Sequence, residues 1–237
     1  MDGVCVDFCR RPPAMGYDPD LVREYTLTGG PEAAELSLTD PAFVDWCRFR
    51  AGFVTAMLRD LREALAGIEQ AQGRRILLVA RVPADGPELN LACGMDTETW
   101  CRRGLVDVLW PHPLRWLALD QEQTIEPYAQ RARECGVALI GGVCLEPPQG
   151  VEKNPVALAR RVLRQYEEGA GGMVVEEIEQ GAADGDLRWV VSALAEPERL
   201  ARLAADEQRQ RQYPLTQAGA WFGVDRESCV PGSGRQG

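Results

Sequence analysis

Met1-Asp2-Gly3-Val4-Cys5-Val6-Asp7-Phe8-Cys9-Arg10 opens the chain. Residues 3–8 read as a short buried strand, since apolar side chains dominate the run and it lacks helical spacing. The strand ends in a carboxylate, Asp7, and a guanidinium, Arg10. No helix comes before it. An apolar strand tipped with ionisable groups has the form of an internal strand of a parallel sheet. The expectation follows that the chain starts part-way through a larger domain.

Alternation of strand and helix continues outward from that strand. Residues 11–39 form a Pro- and Gly-rich connection of about 29 residues, against roughly two to six in most α/β units. Asp40-Pro41 then supplies an N-cap and a proline at the first helical position. Phe43, Cys47, Phe53, Met57, Leu58, Leu61 and Leu65 recur at helical spacing, and Gly67 is read as the stop. The continuous apolar run at residues 75–83 suits a parallel strand buried on both faces. Further strands are predicted at residues 106–111, 137–145 and 172–176. Helices are predicted at 96–103, 124–135, from Asn154-Pro155 to Gly169, and at 186–194.

Such alternation requires a mostly parallel sheet with right-handed crossovers. Five βα units suit either an open doubly wound sheet or part of a (β/α)8 barrel, three units short of eight. The fold class expected is α/β, an incomplete (β/α)8 TIM barrel of five parallel units over residues 1–213. The chain from Glu196 onward is polar and rich in Gln and Arg, then in Pro, Gly and Ser. It reads as a frayed helix followed by a flexible tail at 214–237.

Composition narrows the function classes. The net charge of −10 disfavours nucleic acid, whose phosphates need a basic face, and an anionic membrane surface. There is no apolar run of about 18 residues to span a bilayer. Eight cysteines are present without a C-x2-C pair, and most sit in apolar runs where a free thiol packs as a small hydrophobe. With one histidine, His112, a His-rich metal centre is not expected. No G-x-G-x-x-G follows a strand, so a dinucleotide cofactor is not expected either.

Ligands of parallel α/β folds bind at the carboxyl ends of the strands. Those ends carry Asp7 and Arg10, then Arg81, then Trp110 and His112, then Glu146, then Glu176 with Glu177. Two carboxylates on different strands suit glycoside chemistry, in which one carboxyl is protonated and the other ionised. Asp7, near Arg10 and Arg81, is the better anion and Glu146, beside Leu145 and Pro147-Pro148, the better acid. Arg10, Arg81, Trp110, His112 and Glu176 are the candidate substrate contacts, with Trp110 and Trp116 able to stack on sugar faces. The alternative is a non-catalytic carbohydrate-binding or structural α/β protein.

The segment from Asp2 to Arg10 resembles the D-G-(I/V)-x-x-D-(F/Y)-x-R segment of bacterial glycoside-hydrolase-like barrel proteins, relatives of the α-amylase-type and YngK-like glycosidases. Phe49-Arg50, Ala80-Arg81-Val82-Pro83, Gly94-Met95-Asp96-Thr97-Glu98-Thr99-Trp100, Gly104-Leu105-Val106-Asp107 and Ala195-Glu196-Pro197 follow in the same order. The resemblance implies that the first strand here is barrel strand four, that the five units are strands four to eight, and that Glu146 ends strand seven. It also implies Asp7 as nucleophile and a carbohydrate substrate, with no cofactor. Glu176-Glu177 depart from the aromatic residue and Asn that such relatives carry. A catalytic domain without its first three units is expected to be inactive alone, and any secretion signal would lie upstream.

Overall fold

The computed structural model describes residues 2–9, 14–112, 124–145, 154–176 and 187–212. It is a mixed α/β structure of two compact units, one ending at Val108 and the other beginning at Leu109. The elements in order are β1 (Gly3–Asp7), α1 (Pro19–Leu27), α2 (Pro41–Gln72), β2 (Leu77–Pro83), α3 (Pro87–Ala92), α4 (Thr97–Arg102) and β3 (Val108–His112). They continue with α5 (Glu126–Cys135), β4 (Ala138–Leu139), β5 (Gly141–Cys144), α6 (Pro155–Glu167), β6 (Met173–Glu176), α7 (Arg188–Val191), α8 (Pro197–Ala204) and α9 (Glu207–Gln212).

In the first unit β1 runs parallel to β2, with Gly3 opposite Leu77, Cys5 opposite Val79 and Asp7 opposite Arg81. Paired residues of a parallel ladder share a face. The face holding Leu78, Ala80 and Val82 is buried. On the other face Gly3, Cys5 and Asp7 are exposed. The expectation of a buried first strand is therefore corrected: β1 is open on alternate residues. Partial desolvation of the thiol and the nearby Asp7 carboxylate push the Cys5 pKa up, with Arg81 opposing, so Cys5 is held as the thiol.

The connection expected to be loop at residues 11–39 contains α1 and a 3-10 turn at Ala33–Glu35. Asp18 accepts the Asp20 N–H at 2.9 Å, and Pro19 takes the first helical position, the same device as Asp40-Pro41. These elements pack Tyr25, Ala33 and Leu36 on Phe43, Trp46 and Cys47 of α2. Trp46 meets the rings of Tyr17 at 5.3 Å and Tyr25 at 5.1 Å. The long helix also runs past Gly67 to Gln72, ending at Gly73 with φ +66°, a left-handed conformation suited to glycine.

Two polar clusters lock this unit. Arg50 is fully buried and donates to the Met15 carbonyl at 2.9 Å and the Ala92 carbonyl at 2.8 Å. Its guanidinium lies 5.1 Å from the Tyr17 ring and 5.0 Å from the Trp46 ring. One cation thus ties the segment before α1 to α2 and α3. At the amino end of β2, Arg62 and Arg75 each pair with both Glu69 and Asp107. Glu69 also accepts the Ile76 N–H at 2.7 Å, and Asp107 the Leu78 N–H at 2.8 Å.

In the second unit the strand expected at residues 137–145 is divided at Ile140. Its first part, β4, lies beside β3, and the Ile140 N–H donates to the Leu109 carbonyl at 3.1 Å. Its second part, β5, runs parallel to β6, with Gly142 opposite Val174 and Cys144 opposite Glu176. One run of chain is hydrogen-bonded to a different neighbour on each side. Val143 and Leu145 join Ala159 and Val162 of α6 in a core that includes Val190, Leu200 and Ala204. The frayed helix expected after Glu196 is corrected: α8 and α9 are formed, and Leu200 of α8 is fully buried. The tail assigned to 214–237 lies outside the described residues. No helix among the described residues is long and apolar enough to cross a membrane.

Candidate functional site

The chain places two sets of polar side chains at strand carboxyl ends, one in each unit. In the first unit Asp7, the last residue of β1, accepts from Arg81 Nη1 at 3.0 Å and from the Cys9 N–H at 2.8 Å. The two contacts use different oxygens, Oδ2 for the arginine and Oδ1 for the backbone. Two donors fix the carboxylate rotamer. Arg81 is the more enclosed partner, its side chain 12% exposed against 30% for Asp7. The carboxylate therefore faces outward while its cation is held behind it. The Phe8 N–H donates to the Arg81 carbonyl at 2.9 Å. The Phe8 ring packs on Trp100 at 5.3 Å, and Trp100 donates to Thr55 Oγ1 at 3.0 Å. The strand end is thus braced against α2 and α4.

In the second unit Trp110 and His112 lie two apart on β3 and so share a face. Their rings meet edge to face at 5.2 Å. His112 is fully buried, and its Nε2 is 2.8 Å from Oε2 of Glu176, whose side chain is 23% exposed. Glu176 ends β6, two strand spacings or about 10 Å from β3. The side chains meet across the strand between, above Gly142. A Cβ at Gly142 would collide with His112 Nδ1 and stand 2.6 Å from Trp110 Nε1. Glycine is required there because the ring nitrogens of both side chains come this close to the backbone. Beneath it, Gln165 of α6 accepts the Gly142 N–H at 2.9 Å and donates to the Gly142 carbonyl at 3.3 Å.

Of the residues chosen from sequence, Asp7 and Arg81 are brought together, as are Trp110, His112 and Glu176. Arg10 and Glu146, and with them Glu177 and Trp116, lie outside the described residues. The His112 side chain is fully buried, with its Nε2 facing Glu176. The sequence reading missed Gly142 and Gln165. The signal was the pair Gly141-Gly142 inside an apolar strand, since glycine in a strand interior marks close approach of another group.

A separate cleft of about 410 Å³ opens on the helical side of the first unit, between Phe43, Cys47, Leu91 and Ala92, with Arg48, Asp96 and Arg102 at its rim. None of the residues chosen from sequence lines it. Among the described residues no group of three or more His, Cys, Asp and Glu side chains is placed to hold a metal ion. No protein-family model matches the chain, and no curated protein matches it.

Proposed function

We propose that the chain is a carbohydrate-active α/β protein, a glycoside hydrolase domain of the incomplete (β/α)8 type, in which Asp7 is the ionised carboxylate. The observation that carries the reading is the grip on Asp7 at the carboxyl end of a parallel strand. An arginine and a backbone N–H hold its two oxygens, and the group stays partly open to solvent. A retaining glycosidase needs such an anion to attack or stabilise an oxocarbenium-like sugar carbon. Glu146 is the protonated partner in this reading, and the family resemblance of residues 2–10 supports the same assignment of Asp7.

A non-catalytic carbohydrate-binding protein is the second reading. It is favoured by the partly exposed Trp110 and Glu176, which both meet His112 and supply the apolar ring and hydroxyl acceptor that suit a sugar.

The test measures binding and cleavage together. The chain is titrated with cello-, xylo-, malto- and chito-oligosaccharides by calorimetry, and each mixture is then assayed for new reducing ends. The hydrolase reading expects binding of at least one class. It also expects cleavage by the full-length protein that Asp7→Asn lowers by about 100-fold or more, no less than the worth of a general acid or base. Binding with no cleavage by the full-length protein selects the second reading. No binding of any class overturns both.

A further inference from the structure

Arg48, Gly52, Thr55 and Arg59 stand at i, i+4, i+7 and i+11 of α2 and so share one face of the helix. Asp96, Thr99 and Arg103 stand at i, i+3 and i+7 along α4 and its two caps. The two rows line a cleft of about 290 Å³ in the first unit. Trp100 Nε1 donates to Thr55 Oγ1 at 3.0 Å and ties the two helices together beside it.

The charge in this cleft is opposite to that of the chain. Three arginines line it in a protein of net charge −10. Asp96 is the acid among the lining residues. Both its oxygens are engaged by Thr99, Oδ1 by the N–H at 2.9 Å and Oδ2 by the hydroxyl at 2.7 Å. Arg48 meets Asp45 at 3.5 Å and Arg59 meets Asp60 at 2.8 Å, and both pairs are open to solvent. Arg103 is exposed and makes no ion pair among the described residues.

Two features of the cleft are not demands of folding. Thr55 is 7% exposed and accepts from Trp100, yet its own hydroxyl hydrogen has no acceptor among the described residues. A buried hydroxyl with an unused donor is placed to give it to a ligand oxygen. Gly52 lies inside a 32-residue helix, where glycine is less stable than alanine. A Cβ there meets nothing within 4 Å, so packing does not call for glycine. Its missing side chain leaves the floor of the cleft open.

We propose that this cleft is an anion site for a phosphate-bearing small molecule, held by Arg48, Arg59 and Arg103, with the Thr55 hydroxyl as a further donor and Gly52 as the open floor. Guanidinium forks match phosphate oxygens in pairs. A phosphate monoester carries a charge of about −1.5 to −2 at neutral pH, which three arginines offset. The site stands apart from the carbohydrate reading, since it uses neither Asp7 nor any residue of the second unit.

The experiment is calorimetry of the whole chain with inorganic phosphate, pyrophosphate and phenyl phosphate at fixed ionic strength. At least one is expected to bind with a Kd below about 1 mM. Arg103→Gln is expected to weaken that binding about 10- to 100-fold, the worth of a hydrogen bond to a charged group. Arg23→Gln, which removes an exposed arginine of α1 paired with Asp20, is expected to leave it unchanged. Gly52→Ala separates the site from the fold: the melting temperature rises through helix propensity, while binding weakens because the methyl occupies the floor. Far-UV circular dichroism screens each variant for folding, and Arg48→Gln gives the charge result if Arg103→Gln misfolds.

A wild type that binds none of the three anions would overturn the proposal. Equal losses in Arg103→Gln and Arg23→Gln would overturn it too, since they mark general charge attraction. A Gly52→Ala protein that is more stable and binds as before would overturn the placement of the ligand in this cleft. Each of these results leaves the carbohydrate reading of Asp7 where it stands.

Discussion

The side-chain amide of Gln165 holds both backbone polar groups of Gly142, taking its N–H at 2.9 Å and meeting its carbonyl at 3.3 Å. Gly142 lies just past the place where the ladder changes neighbours, since β4 ends at Leu139 and β5 begins at Gly141. A helix thus completes the hydrogen bonding of a strand from the side, while two aromatic rings cover the opposite face. Replacing Gln165 with Leu leaves a buried donor and a buried acceptor without this partner. Each unsatisfied group costs roughly 1–3 kcal/mol. Gln165→Leu is expected to lower the urea midpoint by about 2 kcal/mol of stability, and a change inside error would show that Gly142 finds other partners.

Gly142→Ala attacks the same point from the other face. The added methyl meets the His112 and Trp110 rings, and overpacking of this kind costs about 1–3 kcal/mol. The expected outcome is a lower melting temperature together with displaced His112 NMR signals. Unchanged signals in a stable variant would mean that the rings stand clear of the backbone.

Arg50 carries a prediction for the first unit. Two charged hydrogen bonds to Met15 and Ala92 carbonyls are each worth roughly 1.5–3 kcal/mol. Arg50→Met keeps the apolar stem and loses both, so a destabilisation of about 3 kcal/mol is expected. The segment before α1 should become sensitive to protease, because Met15 loses its tether. Wild-type proteolysis at that segment would contradict the role.

Glu69 links stability to pH. The Ile76 N–H foremost, and then the Arg62 and Arg75 guanidinium groups, hold its carboxyl pKa below the usual range, against the opposing cost of burial. The folded state therefore binds the proton less readily than the unfolded state. The stabilisation is present above the ordinary Glu value of about 4.3 and is lost as pH falls through the lower, folded value. Urea midpoints measured from neutral to acid pH should converge for wild type and Glu69→Gln at the acid end. A gap between them that stays constant with pH would remove the linkage.

Much of this architecture could be read from local chemistry, and the failures share physical causes. The N-cap pair Asp40-Pro41 marks the start of α2, while Asp18-Pro19 is the same signal set in a Pro- and Gly-rich stretch that reads as loop. The helix α8 reads only as a frayed helix because its composition is polar, although Leu200 and Leu203 are apolar positions on it. Pairing partners are non-local, so the division of residues 137–145 between two neighbours had no local mark. The site was legible as residue types at strand ends. Who contacts whom was not, because the bridge from His112 to Glu176 passes over a third strand.

The motifs that carry the family resemblance also gain physical meanings. Arg50 ties segments together, and Asp96 caps α4 by accepting the Thr99 N–H at 2.9 Å. Trp100 fills the core, and Asp107 closes the clasp at the amino end of β2. These are demands of folding. Of the quoted motifs, the ones at residues 2–10 and 80–83 supply the Asp7–Arg81 pair at a strand end.

Asp7 bears the central claim, and the most direct measurement is the rate of reducing-end release by the wild type against Asp7→Asn on whichever saccharide class binds. The account predicts cleavage by the full-length protein and a loss of about 100-fold or more in its Asp7→Asn variant, with binding largely kept. Equal rates in the two proteins would contradict it.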